Sequence, residues 1–363
     1  MLCRNVLGFD SSAGIVKMGV QRLRARALRI LKISGIPGGL QDLSWSDPQS
    51  RRLIAGWVAV VLSTLISCFW AFVGTFENFH EGWYYASTLR NLGLAGKYLA
   101  FVAAFTVLSL VALRWPRTGG GLYTVFGIAF SYWIFSTRRT PSLGEILGWL
   151  SVTLPLVFIG ILFWYGRAAP RRIAFRLSIA LPLLVVLATG IEPIIRISGR
   201  VDDGRRDARL VDVKGARLVY APEGPGWPNP DPDDPRWRAE WSGPTWEEAR
   251  RSCQYLAEDG KSLAASAQNI WRLPTIEEAV GSMCRHGKSC DGIWDSRTGR
   301  ASYATKPDKE PPLWNPNSPV IYWWTATEAD AQRAYVVVFN GWVIPRLKTR
   351  RMGSQGFRAV RTP

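Results

Sequence analysis

The sequence predicts a multi-span α-helical membrane domain followed by an α+β domain, and three observations carry that expectation. Apolar residues crowd between Leu53 and Ile191, whereas the residues beyond them are polar and rich in Trp, Pro and Gly. Lys and Arg total 45 against 28 acidic residues, a net charge of +17, and most of the excess sits in the first part. A chain of 363 residues so unevenly divided excludes a single globular core, a disordered chain and a repeat fibre.

Five apolar segments are legible, at 53–75, 92–113, 119–135, 146–165 and 173–191. The first carries no charge for more than twenty residues, long enough to cross roughly 30 Å of hydrocarbon as a helix. The second is interrupted only by Lys97, whose stem can reach the interface from near one end. The third is short, glycine-rich and preceded by Pro116, and the fourth and fifth contain Pro155 and Pro182. Trp57, Trp70, Trp115, Trp133 and Trp164 fall near segment ends, where amphipathic rings sit at headgroup level. Ser63, Thr64 and Ser67, with Gly127, Gly148 and Gly160, read as helix-packing positions. His80 and Glu81 fall in the first loop after a span, and no long apolar run precedes residue 53 to serve as a cleaved signal.

Charge counting orients these segments. Residues 1–52 carry nine Lys or Arg and three Asp; Arg114 and Arg117, then Arg167, Arg171 and Arg172, follow the second and fourth spans. The intervening loops, with Glu77, Glu81 and Arg90, then Arg138, Arg139 and Glu145, sum to zero. The amino terminus is therefore expected in the cytoplasm of a cell whose inner membrane holds the chain, and five crossings put the carboxyl-terminal half in the periplasm or outside. A re-entrant third segment would instead leave that half cytoplasmic. Val16–Ile33 alternates apolar and basic residues, as an amphipathic helix on anionic lipid does, or as a basic tail that only sets topology. Apart from Lys97 the spans hold no ionisable residue away from their ends, so anchor or assembly platform is favoured over transport.

Residues 192–209 read as a charged linker and 210–363 as the second domain. Asp212–Tyr220 reads as one strand, and Ala221–Pro235, with six prolines in fifteen residues, as loop. Asp231, Asp233 and Asp234 there could ligate calcium through oxygen but fit no calcium-loop template, and a solvated acidic turn is the favoured reading. Thr245-Trp246-Glu247-Glu248 and Thr275-Ile276-Glu277-Glu278 are capping boxes that open two helices. Val320–Trp324, Arg333–Phe339, Trp342–Leu347 and Gly356–Arg361 read as strands, and Asn340-Gly341 as a type I′ hairpin turn. Two helices before antiparallel strands is α+β order.

The order TWEEARRSCQYL, WRLPTIEEA, YWWTATEADAQRAYVVVFNGWV and GFRAVR resembles the DUF1566 or Lcl C-terminal type of domain over residues 210–363. Through it the domain resembles the C-type-lectin-like fold shared with sulfatase-modifying enzymes. No resemblance is legible in the membrane half. The likeness implies a Trp-rich domain displaying a ligand surface on long loops, with glycans or polyanions as partners. Trp271, Arg272, Leu273, Pro274 and Glu278 correspond to its WRLP element; Trp323, Trp324, Thr325 and Glu328 to its YWxxTE element; Phe357 and Arg358 to its last strand. These are expected to be structural, with Thr245, Trp246, Glu248, Thr275, Asn340 and Gly341. The enzymatic branch needs late cysteines, yet the last is Cys290 and the one histidine of the domain is His286. No catalytic residue, metal or cofactor is therefore expected.

Cys284 and Cys290 enclose a short polar loop and are candidates for a disulfide, either with each other or one with Cys253; reduced buried thiols are the alternative. Ligand contacts, if made, fall on Trp294, Tyr303, Trp314, Trp342, Arg346, Lys348, Arg350 and Arg351, unless Trp294 and Trp314 fill the core. From Leu210 onward 21 basic residues face 18 acidic ones, which gives no case for nucleic acid. The function expected is a membrane-anchored, non-enzymatic recognition or assembly protein in contact with membrane lipids. A structural subunit of a membrane-protein complex, a diversified lectin-like receptor and a sulfatase-modifying-like enzyme are the alternatives.

Overall fold

The structure, a computed structural model, describes residues 47–136, 142–227 and 242–363. The segment Val16–Ile33, Arg138–Arg139, and Asp231, Asp233 and Asp234 lie outside the described residues. The chain divides into two compact units: one takes the chain up to Gly74 with Leu99–Ala188, the other Thr75–Tyr98 with Thr189–Pro363.

Among the described residues six helices precede the first strand: α1 Pro48–Glu81, α2 Thr88–Tyr98, α3 Ala100–Arg114, α4 Pro116–Ser136, α5 Leu143–Tyr165 and α6 Arg171–Ser198. Of these, α1, α5 and α6 are long and apolar enough to cross a membrane; α2 with α3, bent by 54° at the break between them, makes a fourth if taken as one span. The five-span expectation is corrected to that extent. The 92–113 segment is not one helix, because its polar first part, around Arg90, Asn91 and Lys97, folds separately from the apolar Ala100–Arg114. Over 119–135 a helix does form, but α4 is not among those candidates. His80 and Glu81 are not in a loop; they complete the last turn of α1.

Within the first unit the helices alternate in direction. Trp70 of α1 stacks on Phe101 of α3 with ring centroids 4.7 Å apart, so the end of one helix meets the start of the other. Ser109 of α3 and Tyr123 of α4 share a hydroxyl hydrogen bond of 2.7 Å, while Ala112 lies against Gly119. Gly120 faces Gly160 and Trp164 of α5, whereas Gly127 faces Leu156 and Val157, which makes α4 and α5 antiparallel. The start of α1 meets the connection into α6, where the Trp57 indole donates to the Ala169 carbonyl at 2.9 Å and the Arg167 amide to Arg52 at 2.9 Å. Further along, the Thr64 and Ser178 hydroxyls approach to 3.4 Å, so α1 and α6 run parallel.

Small residues let these backbones approach where lipid supplies no hydrophobic drive. Ser63, Thr64 and Ser67 are buried, and a Cβ at Gly127 or Gly160 would strike the neighbouring helix. Gly148 differs from its expected role: among the described residues no neighbouring helix comes within 4 Å of where its Cβ would stand. Gly160→Leu is expected to separate α4 from α5, since the added side chain falls on Thr124 and the Gly120 carbonyl. Size-exclusion profiles in detergent should lose their monodisperse peak, while Gly148→Leu leaves it unchanged.

The second unit is mixed α/β. β1 Arg209–Val213 and β2 Ala216–Tyr220 pair antiparallel, and β11 Val360–Arg361 pairs with β2, giving the order β1-β2-β11. A second sheet has the order β10-β7-β8-β9, from β7 Tyr322–Glu328, β8 Arg333–Val338, β9 Val343–Leu347 and β10 Gln355–Gly356. β10 is parallel to β7, and the other pairs are antiparallel. Two small hairpins, β3 Cys284–Arg285 with β4 Lys288–Ser289 and β5 Ile293–Asp295 with β6 Arg300–Ser302, lie between the helices and the second sheet in sequence.

Both capping boxes form. The Thr245 and Thr275 hydroxyls accept from the amides of Glu248 and Glu278, and their own amides donate to those glutamate carboxylates, opening α7 Trp246–Tyr255 and α8 Ile276–Gly281. Two turns differ from expectation. Lys214 and Gly215 both have positive φ, so Asp212–Tyr220 is a two-residue hairpin rather than one strand. At Asn340-Gly341 only Gly341 has positive φ, at 87°, and its amide donates to Val338 at 2.9 Å. The result is a three-residue loop closed by a glycine bulge instead of the type I′ turn.

Candidate functional site

The sequence leaves Glu192–Arg209 as a linker, yet α6 continues to Ser198 and the residues after it are tied down. A 34-residue helix is about 51 Å long and a 28-residue one about 42 Å, both beyond the hydrocarbon thickness. The surplus turns, from Thr75 on α1 and Thr189 on α6, belong to the second unit.

At the end of α6 lies a buried ionic cluster. Asp308, with its side chain fully buried, meets Arg200 at 2.8 Å, Arg285 at 2.9 Å and Arg196 at 3.8 Å. Arg285 also pairs with Glu310 at 2.8 Å and donates to the Arg196 carbonyl at 3.0 Å. Burial alone would raise the Asp308 carboxyl, but the charge and hydrogen bond of Arg200, with the charge of Arg196, hold it below the ordinary carboxylate range. Lys309, fully buried between these acids, gives its ammonium to the Ser318 carbonyl, and burial pushes its pKa well down. Beyond Ser198, Arg206 pairs with Asp202 at 2.7 Å and with Glu223 at 3.3 Å, and Arg209 pairs with Asp203.

The end of α1 is joined to the second sheet by aromatic contacts. The His80 Nε2 and Tyr322 hydroxyl lie 2.8 Å apart, Phe76 stacks against Trp342 with centroids at 6.3 Å, and the Arg346 guanidinium sits 3.9 Å from the Tyr322 ring centre. None of Asp308, Glu310, Arg196 and Tyr322 stands out in the sequence. The one signal is KPDKEPP at Lys306–Pro312, whose charges between prolines read as a solvated turn.

The proposed ligand residues do not gather into one open surface. Trp314 is 2% exposed and stacks on Trp323 at 4.8 Å, so it belongs to the core. Trp294 packs edge-on to Tyr335, and the Tyr303 hydroxyl donates to Gly341 at 3.0 Å. Lys348 pairs with Glu328 at 2.6 Å over the Trp246 ring, and Arg351 pairs with Glu248. Trp342 and Arg350 remain exposed. The residues expected to be structural are largely internal. Trp246, Trp271, Leu273, Trp323, Trp324 and Phe357 are buried, Pro274 is buried beside them, and Arg272 pairs with Glu278 at 2.6 Å. Trp246 donates to the Thr325 carbonyl at 2.8 Å, and Trp324 to Pro244 at 3.0 Å.

Cys253, Cys284 and Cys290 are free thiols. Cys284 opposes Ser289, and the Cys290 amide bonds to Met283, so Cys284 and Cys290 occupy adjacent rungs and face opposite sides of the hairpin. Burial is the first cause that raises both, Cys284 to about 11 and Cys290 to about 12, so at neutral pH they are poor nucleophiles. Beneath β1 the structure holds a cavity of about 460 Å³, bounded by the β3–β4 hairpin, the residues after α6 and Pro311.

The architecture is that of a multi-pass membrane protein with a mixed α/β domain at its carboxyl-terminal side. Residues 47–174 match the model of a family described as a domain of unknown function, DUF7670. No curated protein and no solved structure matches the chain. The match corrects the sequence reading twice. It falls on the half in which no resemblance was legible, and it lies outside residues 210–363. No match supports a likeness of those residues to the DUF1566 or Lcl type or to C-type-lectin-like domains. Capping boxes, buried tryptophans and an Arg–Glu pair recur wherever short helices dock on sheets, so their order does not specify a family.

Proposed function

We propose that this is a membrane-anchored, non-enzymatic recognition or assembly protein, with its amino terminus in the cytoplasm and its α/β domain on the opposite side of the inner membrane. One observation carries the reading: the last turns of α1 and of α6, two parallel helices, are both built into the unit that holds the α/β domain. Parallel helices that leave the apolar stretch into the same unit leave it on the same face. With α3, α4 and α5 alternating in direction between them, Arg51, Arg52, Arg114, Arg117, Arg167 and Arg171 stand at the helix ends opposite to the ends of α1 and α6, a clustering that supports this sidedness. A domain held at two points by internal contacts suits presentation of a surface to a partner.

Labelling of intact cells tests this. In a chain whose five cysteines are replaced, Arg297→Cys, at a side chain 94% exposed, should react with a membrane-impermeant maleimide. Ser12→Cys should react only after permeabilisation. Equal reactivity of the two positions would overturn the sidedness and with it a partner outside the cytoplasm.

A further inference from the structure

One face of α1 carries an exposed apolar stripe. Leu65, Phe69, Phe72 and Phe76, spaced by four, three and four residues, share that face and are each 44–59% exposed. On a helix that crosses a bilayer such a stripe meets acyl chains. Residues 53–76 hold no charge, and Glu77 follows directly. Those 24 residues make about 36 Å of helix, so the Phe76 end of the stripe passes beyond about 30 Å of hydrocarbon and into the headgroup layer. The stripe does not stop with the helix. The Trp342 ring stacks on that of Phe76, with centroids 6.3 Å apart and planes inclined by 28°, and it is itself 53% exposed. Both residues belong to the second unit.

The tip that carries Trp342 is pinned by three hydrogen bonds. The Trp342 amide donates to Asn340 Oδ1 at 3.1 Å, its carbonyl accepts from the Val338 amide at 2.8 Å, and the Tyr303 hydroxyl donates to the Gly341 carbonyl at 3.0 Å. The indole is thereby kept beside Phe76 and His80, whose ring centres both lie 6.3 Å from its own. Charges of both signs stand nearby, with Glu77 and Glu81 of α1 close to Arg346 and Tyr322. The exposed contact is therefore one of rings, not of net charge.

We propose that the β8–β9 hairpin is a membrane-contact element: Trp342 enters the headgroup layer of the leaflet around the end of α1 and carries the lipid-facing stripe of that helix onto the α/β domain. The occupant of this surface is phospholipid. An indole suits that depth because its flat apolar body meets the upper acyl chains while its one N–H reaches headgroup oxygens or water. The domain is then fastened to the bilayer directly as well as through the ends of α1 and α6. This goes beyond the recognition reading and holds on whichever side of the membrane the domain stands.

The test uses the full chain in phosphatidylcholine nanodiscs, its five cysteines replaced, with a fluorescent maleimide at Trp342→Cys or, as the reference in water, at Arg297→Cys, where the native side chain is 94% exposed. Lipid bearing a nitroxide near the glycerol end of one acyl chain should quench the label at Trp342→Cys at least twofold and the reference by less than a tenth. Iodide in the buffer should quench the reference at least three times as strongly as the label at Trp342→Cys. Trp342→Phe keeps a ring on Phe76 and needs no label: lipid brominated at the same depth should quench less of its tryptophan emission than of wild type. Iodide reaching both labels equally, a label at Trp342→Cys shielded from iodide and lipid alike, as a partner protein or a second copy would shield it, or equal bromine quenching of wild type and Trp342→Phe would each overturn the proposal. Nanodiscs expose both faces, so this result stands or falls separately from the labelling of intact cells.

Discussion

Replacing Asp308 by Asn is expected to cost the α/β unit roughly 3–5 kcal/mol, because breaking a buried ion pair leaves its partners charged and uncompensated. Here Arg200, Arg285 and Arg196 would face a neutral amide in a site where the carboxylate they surround is fully buried. The same pair sets a pH dependence. Asp308 is held below its ordinary range, so its contribution is fully present above about pH 4, the value for an unfolded carboxyl, and is lost as pH falls through the lower native value. Tryptophan fluorescence during thermal unfolding should show wild type losing stability below about pH 4 and Asp308→Asn giving a flatter profile. Glu247→Gln is the control: it breaks an exposed pair with Arg250 at 2.9 Å and should change stability by less than about 1 kcal/mol. Asp308→Asn melting with wild type at neutral pH would show that the cluster holds nothing together.

Arg358→Ala is expected to destabilise by about 3 kcal/mol or more. The side chain is 1% exposed, donates from Nε to the Ala221 carbonyl at 2.9 Å and from Nη1 to Pro312, and lies 4.2 Å from the Trp227 ring centre. Burial pulls its pKa down to about 9, a measure of how strongly the surroundings disfavour the charge. Alanine removes the volume and strands both carbonyls. Arg358→Met restores much of the volume but not the donors, so it should fall between wild type and alanine, still at least about 1 kcal/mol below wild type. Chemical denaturation of the three proteins in the same detergent checks the order. Methionine as costly as alanine would place the whole effect in the lost hydrogen bonds.

What could be read from the sequence was what depends on near neighbours. Thr245 and Thr275 cap because the partner glutamate stands three residues on, and a charge-free run such as Leu53–Thr75 can only be apolar surface. Failures came where distance in sequence mattered or one residue tipped a turn. Lys214 takes a positive φ against its type because Gly215 follows and the hairpin needs both, and no alternation pattern reveals that. The break after Tyr98 is hidden in the sequence because the apolar count over 92–113 averages a polar stretch with an apolar one. The Asp308 cluster joins residues about 110 apart, so neither Arg196 nor Asp308 looks unusual in its own neighbourhood. The family likeness fails for a related reason: capping boxes and buried tryptophans are locally sound elements that carry no signature of descent.

The two long helices also move the natural cutting point of the chain. A fragment beginning at Leu210, where the apolar composition ends, would carry Asp308 and Tyr322 but leave behind Arg196, Arg200 and His80. It would then offer water an acid stripped of two cations and a tyrosine without its histidine partner. The carboxyl-terminal half is in this sense no detachable module: it becomes whole only with the last turns of both long helices in place.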